Sequence, residues 1–423
     1  MIIKPRTLLA LSILTAFNVH SAGFQVAEHS ASGLGRAFSG EGAVADNASV
    51  IAHNPAAMTR FDTTQFSGAL SIVDPEVDVY DVKNQQKMND VAPLQVVPAA
   101  YYVSPINEKW AWGMGIFTTY GVATDYPNDI YAGDLAGDTS LLSVNLNPNI
   151  AYRVNEQLSL AAGINLVYAE AKLTRHKGAL AVFTGGSASD NLVGMTGGSA
   201  SDNLVGMTGE TVALGWNIGS LYEFNQNHRV GFAYRSAVDL DFDDGEFSSY
   251  SSGVATNAVV EGRLKITLPA MWEVSAFHQL TDSVALHYGY QRTDWSSFKE
   301  LKATSSQCTN GECFYKSEKY EDSGRWSLGS TYQLNSTWTL RAGFAFDEQA
   351  GEATLSIPDS DRYWYSAGVS YVISDSLSID AGFALVKSKS GTFTETNKLN
   401  ETLTFESQGT AYLSAIQLNY TFN

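Results

Sequence analysis

From about residue 64 onward, apolar and polar residues alternate with a period of two. Along residues 142–154 the apolar set is Leu142, Val144, Leu146, Pro148, Ile150, Tyr152 and Val154, with Ser143, Asn145, Asn147, Asn149, Ala151 and Arg153 between. Along residues 230–242, Val230, Phe232, Tyr234, Val238, Leu240 and Phe242 stand against Gly231, Arg235, Asp239 and Asp241. The final residues set Ile416, Leu418, Tyr420 and Phe422 against Gln417, Asn419 and Thr421. Successive side chains of a strand point to opposite faces, so the pattern predicts strands with one apolar face. A soluble antiparallel sheet gives the same alternation, and the spacing of turns separates the two cases.

Very short polar turns recur at residues 106–109, 155–157, 225–227, 281–283, 335–337 and 374–376. Between them lie long polar stretches, at 121–141, 174–211, 243–262, 296–324, 347–362 and 388–408. Alternating tight and long connections are the layout of an outer-membrane barrel, with short periplasmic turns and long outer loops. Six tight turns join twelve strands in pairs. One strand before them (64–73) and one after (410–422) make fourteen, an even number that brings both ends to the periplasm. Closure also removes the unpaired edge that lipid does not tolerate. The expected fold is thus all-β, a 14-stranded antiparallel transmembrane β-barrel over residues 64–423. Trp110, Tyr152, Trp272, Trp338 and Trp364, near strand ends, suit interfacial girdles.

Residues 22–63 lack this alternation and are rich in Gly, Ala and Ser. Such a segment is either a periplasmic tail or a plug. A fourteen-stranded barrel is too wide for its own side chains to fill, which favours a plug, or hatch, in the lumen. Residues 1–21 read as a signal peptide, with Lys4 and Arg6 before an apolar stretch and short residues, Val19 and Ser21, at the −3 and −1 positions. Composition narrows the function. The chain has 423 residues, a formal net charge of −18 and 8 Trp, 21 Tyr and 20 Phe. That charge argues against a nucleic-acid partner. No apolar run after residue 20 is long enough for a helix to span a bilayer, so any crossing must use strands. One segment is duplicated: residues 185–196 and 197–208 both read GGSASDNLVGMT. Two copies fall short of a solenoid and read as a tandem insertion in the longest outer loop.

Little in the chain suggests catalysis. The His residues lack paired metal spacing, no nucleophile elbow or P-loop occurs, and neither a metal nor a cofactor is expected. Cys308 and Cys313 flank the Asn310-Gly311 turn without a second Cys pair, which suggests a small loop disulfide over a zinc site. Asp239, Asp241, Asp243, Asp244 and Glu246 form an acidic run; a solvated loop face is the plainer reading, a cation bridge to lipopolysaccharide the sharper one.

Several motifs together resemble the long-chain fatty-acid transporter family of Gram-negative outer membranes, the FadL type. They are residues 22–25 (AGFQ), residues 32–42 (SGLGRAFSGEG), the triplet Asn54-Pro55-Ala56, residues 117–119 (FTT), 268–275 (LPAMWEVS), 301–304 (LKAT) and 356–364 (SIPDSDRYW). The likeness covers essentially the whole chain after residue 21. Family members usually end on an aromatic, whereas Asn423 follows Phe422 here. The resemblance implies a hatch carrying Asn54, Pro55 and Ala56, with Phe24 in a tail that closes an inner pocket. It implies a non-enzymatic, passive channel for long-chain fatty acids or similar hydrophobic molecules. Capture would occur between outer loops, and release would be sideways through a kinked third strand, for which Gly113 and Gly115 are the candidates. It further implies a carboxylate site at Arg175 and Lys316. Alternatives are an aromatic-hydrocarbon channel of the same family, an outer-membrane lipid hydrolase and a surface adhesin. Expected partners are hydrophobic ligands and outer-membrane lipid, including lipopolysaccharide. A monomer is expected, and a long-looped barrel can also serve as a phage receptor.

Overall fold

The structure is a computed structural model and describes residues 23–180, 204–249 and 259–422. The expected signal segment lies outside the described residues. So does the duplicated dodecapeptide, except residues 204–208 of its second copy. Among the described residues, fourteen antiparallel strands close into a barrel. They are β1 (Gln65–Asp81), β2 (Gln95–Pro105), β3 (Trp110–Phe117 and Gly121–Thr124), β4 (Thr139–Arg153) and β5 (Leu158–Arg175). Next come β6 (Val205–Asn225), β7 (His228–Arg235 and Val238–Ser249), β8 (Val259–Leu268 and Met271–Gln279) and β9 (Val284–Thr293 and Glu300–Thr304). The last are β10 (Glu312–Ser317 and Ser323–Gln333), β11 (Trp338–Asp347), β12 (Arg362–Ser374), β13 (Leu377–Ser388 and Gly391–Thr396) and β14 (Thr402–Thr421). β14 pairs with β1 from Gln65 opposite Thr421 to Asp81 opposite Phe405, which closes the wall.

All six tight turns fall where the polar punctuation places them. Asn107, Asn155, Asn225 and Asn335 each accept backbone N–H bonds from residues two and three further on, as at Lys109 and Trp110. These Asx turns explain the choice of residue. The outer strand ends run further than the alternation suggests; β1 reaches Asp81 rather than residue 73. Strands that stand clear of lipid keep pairing but no longer need an apolar outer face, so their periodicity fades.

The membrane-facing side chains include Leu214, Trp216, Ile164, Trp326 and Leu328, all exposed. Aromatic pairs such as Trp110–Tyr152, Trp338–Tyr371 and Trp272–Tyr290 stack across neighbouring strands. Trp364 corrects its expected girdle role. It sits between outward Tyr363 and Tyr365 and points into the lumen, where Nε1 donates to Asp347 Oδ2 at 2.7 Å and Arg325 stacks on the ring. One position along a strand reverses the face.

Residues 23–64 fill the lumen as the hatch. It contains α1 (Ala31–Leu34), α2 (Glu41–Val44) and two 3-10 turns, Ala48–Ala52 and Pro55–Arg60. Small residues let the hatch touch the wall backbone. A Cβ on Gly368 would come within 2.7 Å of Gly35 Cα, and one on Gly219 would meet Asn54 Oδ1. Ion pairs fix it further. Arg36 bonds Glu41 at 2.7 Å and Asp46 at 2.8 Å, and Arg341 of β11 reaches Asp46 at 3.2 Å. Burial alone would raise the Asp46 carboxyl, but the two guanidinium groups hold it well below its ordinary value.

Candidate functional site

The first described residues tie the tail to the barrel. Gly23 N donates to Asp359 Oδ2 at 3.1 Å, and Phe24 is buried. Its ring lies edge-on to Trp295 at 4.6 Å and to Phe298 at 5.1 Å between centroids. Gly23 adopts φ 61°, and a Cβ there would lie 2.7 Å from Trp295, so the residue is required by both conformation and space. Phe24 forms one wall of an apolar cavity, with Leu141, Leu173, Phe242, Leu301 and Ile357 among its other walls. Apolar side chains with few polar groups at one end are the usual make-up of a ligand site.

Next to the cavity-lining Ile357, a polar cluster is built by three strands and a loop. Arg175 closes β5 and Lys316 lies near the end of the first piece of β10. The two cations converge on one hydroxyl: Arg175 Nη2 donates to Ser356 Oγ at 2.7 Å and Lys316 Nζ at 3.0 Å. Ser356 adjoins the cavity-lining Ile357. Two carboxylates share the site, Glu318 at 3.5 Å and Glu395 at 3.6 Å from Lys316 Nζ. Burial pushes the Glu318 carboxyl up from its ordinary value, against the pull of Lys316. The structure thus brings together the two basic residues singled out from sequence and adds Ser356, Glu318 and Glu395. The Ser356 signal was present in the 356–364 motif, which carried no assigned role; nothing in the pattern marked the two acids. Lys172 and Lys319 are exposed and pair with Asp138 and Glu352.

The third strand is interrupted beside this cavity, but not at the expected glycines. β3 runs unbroken through Gly113 and Gly115, which pair with Val103 and Tyr101 of β2. Both face the lumen, where a Cβ on Gly113 would lie 2.6 Å from Met58 Sδ of the hatch. Gly113 thus makes room for the hatch, and Gly115 for the rings of Phe117 and Tyr101. The break is at Thr118-Thr119-Tyr120, where the chain leaves the wall to pair with the tail. Gln25 bridges Tyr120, Val26 N donates to Thr119 O at 2.8 Å, and Gly121 N donates to Phe24 O at 2.8 Å. The β2–β3 ladder ends at Ala100 opposite Ile116, and the upper piece of β3 pairs with β4 alone. Tail hydrogen bonds therefore replace the missing ladder, which satisfies the buried backbone. Val122 of that upper piece lines the cavity.

The tail also partitions the lumen. Phe24 faces the apolar cavity, whereas Gln25 lines a second one with His29, His53, Asn217, Arg235 and Glu273. Asn54 anchors the hatch near this polar space. Its Oδ1 accepts from Ala56 N, and its Nδ2 donates to Gly42 O at 2.8 Å and Ser220 O of β6 at 2.9 Å. The Asn54-Pro55-Ala56 triplet opens a 3-10 turn, with Asn54 as N-cap and Pro55 in the first position, where its missing N–H costs nothing. Cys308 and Cys313 are bonded to one another in the outer hairpin between β9 and β10.

Known proteins share this arrangement. Residues 12–422 match the family described as "Outer membrane protein transport protein (OMPP1/FadL/TodX)". The chain is 38% identical to the long-chain fatty acid transport protein of Escherichia coli (strain K12), over 99% of this chain and 98% of that one. It is 38% identical to outer membrane protein P1 of Haemophilus influenzae, over 99% of both. Among solved structures, a Pseudomonas aeruginosa FadL homologue superposes with a TM-score of 0.80 at 22% identity, covering 95% of this chain and 100% of that one. The Pseudomonas putida toluene transporter TodX gives 0.66 at 17%, covering 89% and 94%. These last two likenesses concern the fold. With a family match over almost its full length and a closed barrel around a hatch, the chain belongs to the OMPP1/FadL/TodX family of outer-membrane transport proteins.

Proposed function

We propose that this protein carries long-chain fatty acids across the outer membrane, holding the acyl chain in the apolar cavity and releasing it sideways at the break in β3. The observation that carries the reading is the coincidence of three features: an apolar cavity, a cation pair on Ser356 next to the cavity-lining Ile357, and a wall strand that leaves its ladder beside the cavity. An acyl chain loses about 0.8 kcal/mol per CH₂ moved into water. The space below the tail has His29, His53, Arg235, Glu273 and Asn217 among its walls. Passage down the lumen would strand the chain among them, whereas a lateral exit keeps it in apolar surroundings. The relatives named as fatty acid transporters support the same substrate.

Monoaromatic hydrocarbons are the second reading, favoured by the likeness in fold to toluene transporters. A hydrocarbon has no use for Arg175 and Lys316. Growth on oleate of a transporter-deficient strain, with and without this protein, separates the two. Rescue supports the fatty-acid reading; no rescue despite a folded barrel in the outer membrane removes it.

A further inference from the structure

A chain of three side chains links the hatch to the broken part of β3. His29 Nε2 lies 2.9 Å from Thr118 O, His29 Nδ1 lies 3.4 Å from His53 Nε2, and His53 Nδ1 lies 3.1 Å from Glu273 Oε2 of β8. The acceptors assign the protons. A carbonyl only accepts, so His29 carries its hydrogen on Nε2 and offers Nδ1 as an acceptor. His53 must then donate from Nε2 to His29. Its Nδ1 faces a carboxylate and donates as well, so His53 is an imidazolium paired with Glu273. The Thr118 carbonyl at the far end lies just past Phe117, where the β3 piece paired with β2 stops. The His29 ring also packs edge-on against Phe117 at 5.2 Å.

We propose that His29 and His53 are positioning residues that clasp the hatch tail to the break in β3, and that the proton on His53 sets how firmly the clasp holds. The proposal rests on the lateral-release reading above. It adds a control: while His53 is charged, the chain of donors is complete and the tail stays stitched to residues 118–121. Without that proton, one link must lose its hydrogen. Either His29 loses its donor or Glu273 faces a bare nitrogen.

The surroundings fix the direction. Around His53 stand Glu273 from β8, Arg235 from β7, and Glu41 and His29 from the hatch. Burial and Arg235 work against the charged form, but Glu273 and Glu41 outweigh them, so His53 titrates above its ordinary value. His29 is held neutral by burial and by His53. A histidine raised in the folded state gives stabilisation that is complete below its unfolded value and is lost as pH rises through the folded one. The clasp therefore loosens on the alkaline side. Both rings line the second cavity.

The test uses the full-length protein in micelles without ligand. Imidazole nitrogen NMR follows His53, and hydrogen exchange follows the Gly121 amide, corrected for intrinsic rates, between about pH 5.5 and 9, the range in which a shifted histidine changes charge. Protection at Gly121 should fall as His53 loses its proton. Glu273→Gln keeps an acceptor but removes the charge, and should move both midpoints down by about one pH unit, a tenfold change in proton affinity. His29→Phe keeps the packing on Phe117 and should abolish the pH dependence, with low protection throughout. His29→Gln restores a donor towards Thr118 and should recover protection without pH dependence. Glu28→Gln removes the neighbouring buried carboxyl and should leave the His53 midpoint in place. The proposal is overturned if His53 is neutral across the range, or if the Glu273→Gln midpoint matches the parent. Because no ligand is involved, that failure is distinct from failure of lateral release, which the oleate rescue reads.

Discussion

Lys316→Met is the cleanest probe of the carboxylate end, and the structure says why Arg175 is not. The Arg175 guanidinium donates to Asp138 O, Thr174 O, Thr139 Oγ1 and Ser356 Oγ, and the residue is buried. Removing it withdraws a donor from Thr174 O and from the Thr139 and Ser356 hydroxyls, and one of the two donors to Asp138 O, at about 1–3 kcal/mol for any buried group left unsatisfied, so any loss of binding would be entangled with loss of structure. Lys316 makes one hydrogen bond, to Ser356, and two looser ion pairs, at 3.5 and 3.6 Å. Met keeps the length and apolar stem. A hydrogen bond to a charged group contributes about 1.5–3 kcal/mol. The resident Glu318 and Glu395 already draw on the ammonium, so a ligand carboxylate gains less, about 1–2 kcal/mol, or roughly 5- to 30-fold in affinity. A matching fatty alcohol forms only a neutral bond, and its affinity should change by less than about threefold, in line with 0.5 kcal/mol for the weakest such bonds. The assay is equilibrium binding of a fluorescent fatty acid and its alcohol analogue to the purified barrel at fixed pH, parent against variant. Equal losses for both ligands would refute the reasoning and leave Lys316 as a shaping residue. A gain for the acid would mean that Glu318 and Glu395, freed of Lys316, do not repel it.

Phe24→Ala should remove two close edge-on ring contacts and loosen the tail at a cost of about 3–5 kcal/mol, as for a core aromatic; faster ligand dissociation in stopped flow, with heat-modifiable barrel folding unchanged, is the expected result. Asn54→Ala deletes three hydrogen bonds that join Gly42, Ala56 and Ser220, and increased proteolysis of the hatch should follow while the barrel stays intact. Glu28 is buried and its carboxyl is pushed up to about 7 by desolvation. Its contribution to hatch stability is complete below the ordinary value of 4.5 and is lost as pH rises through about 7, so Glu28→Gln should raise hatch protection in hydrogen exchange at pH above 7 and change little in acid. Gly219→Ala would press a methyl group into Asn54 Oδ1 and should displace the hatch much as Asn54→Ala does, detected by the same proteolysis pattern.

Period-two alternation and the Asx turns determined the strand number, the closure and the division into short and long connections, because each is written in consecutive residues. A strand that crosses lipid must be apolar on alternate positions, and a tight turn must satisfy its own backbone; neither needs a distant partner. The motif likeness also brought Arg175 and Lys316 forward. Tertiary structure alone decided what those residues do to one another. Ser356 between the two cations, and Glu395 opposite Lys316, come from segments far apart in the chain, whereas Glu318 stands two residues from Lys316. Trp364 points inward because its register on β11 and β13 says so, a parity invisible beside Tyr363 and Tyr365. The break in β3 depends on hydrogen bonds that join Phe24 to Gly121, Val26 to Thr119 and His29 to Thr118, and of the two glycines read locally as a kink, Gly113 instead clears space for Met58 and Ile51 of the hatch and Gly115 for the Phe117 and Tyr101 rings. Local periodicity reports which face meets lipid. Contacts across the lumen are set by barrel closure, which places side chains separated by hundreds of residues within hydrogen-bond reach and leaves no trace in the sequence between them.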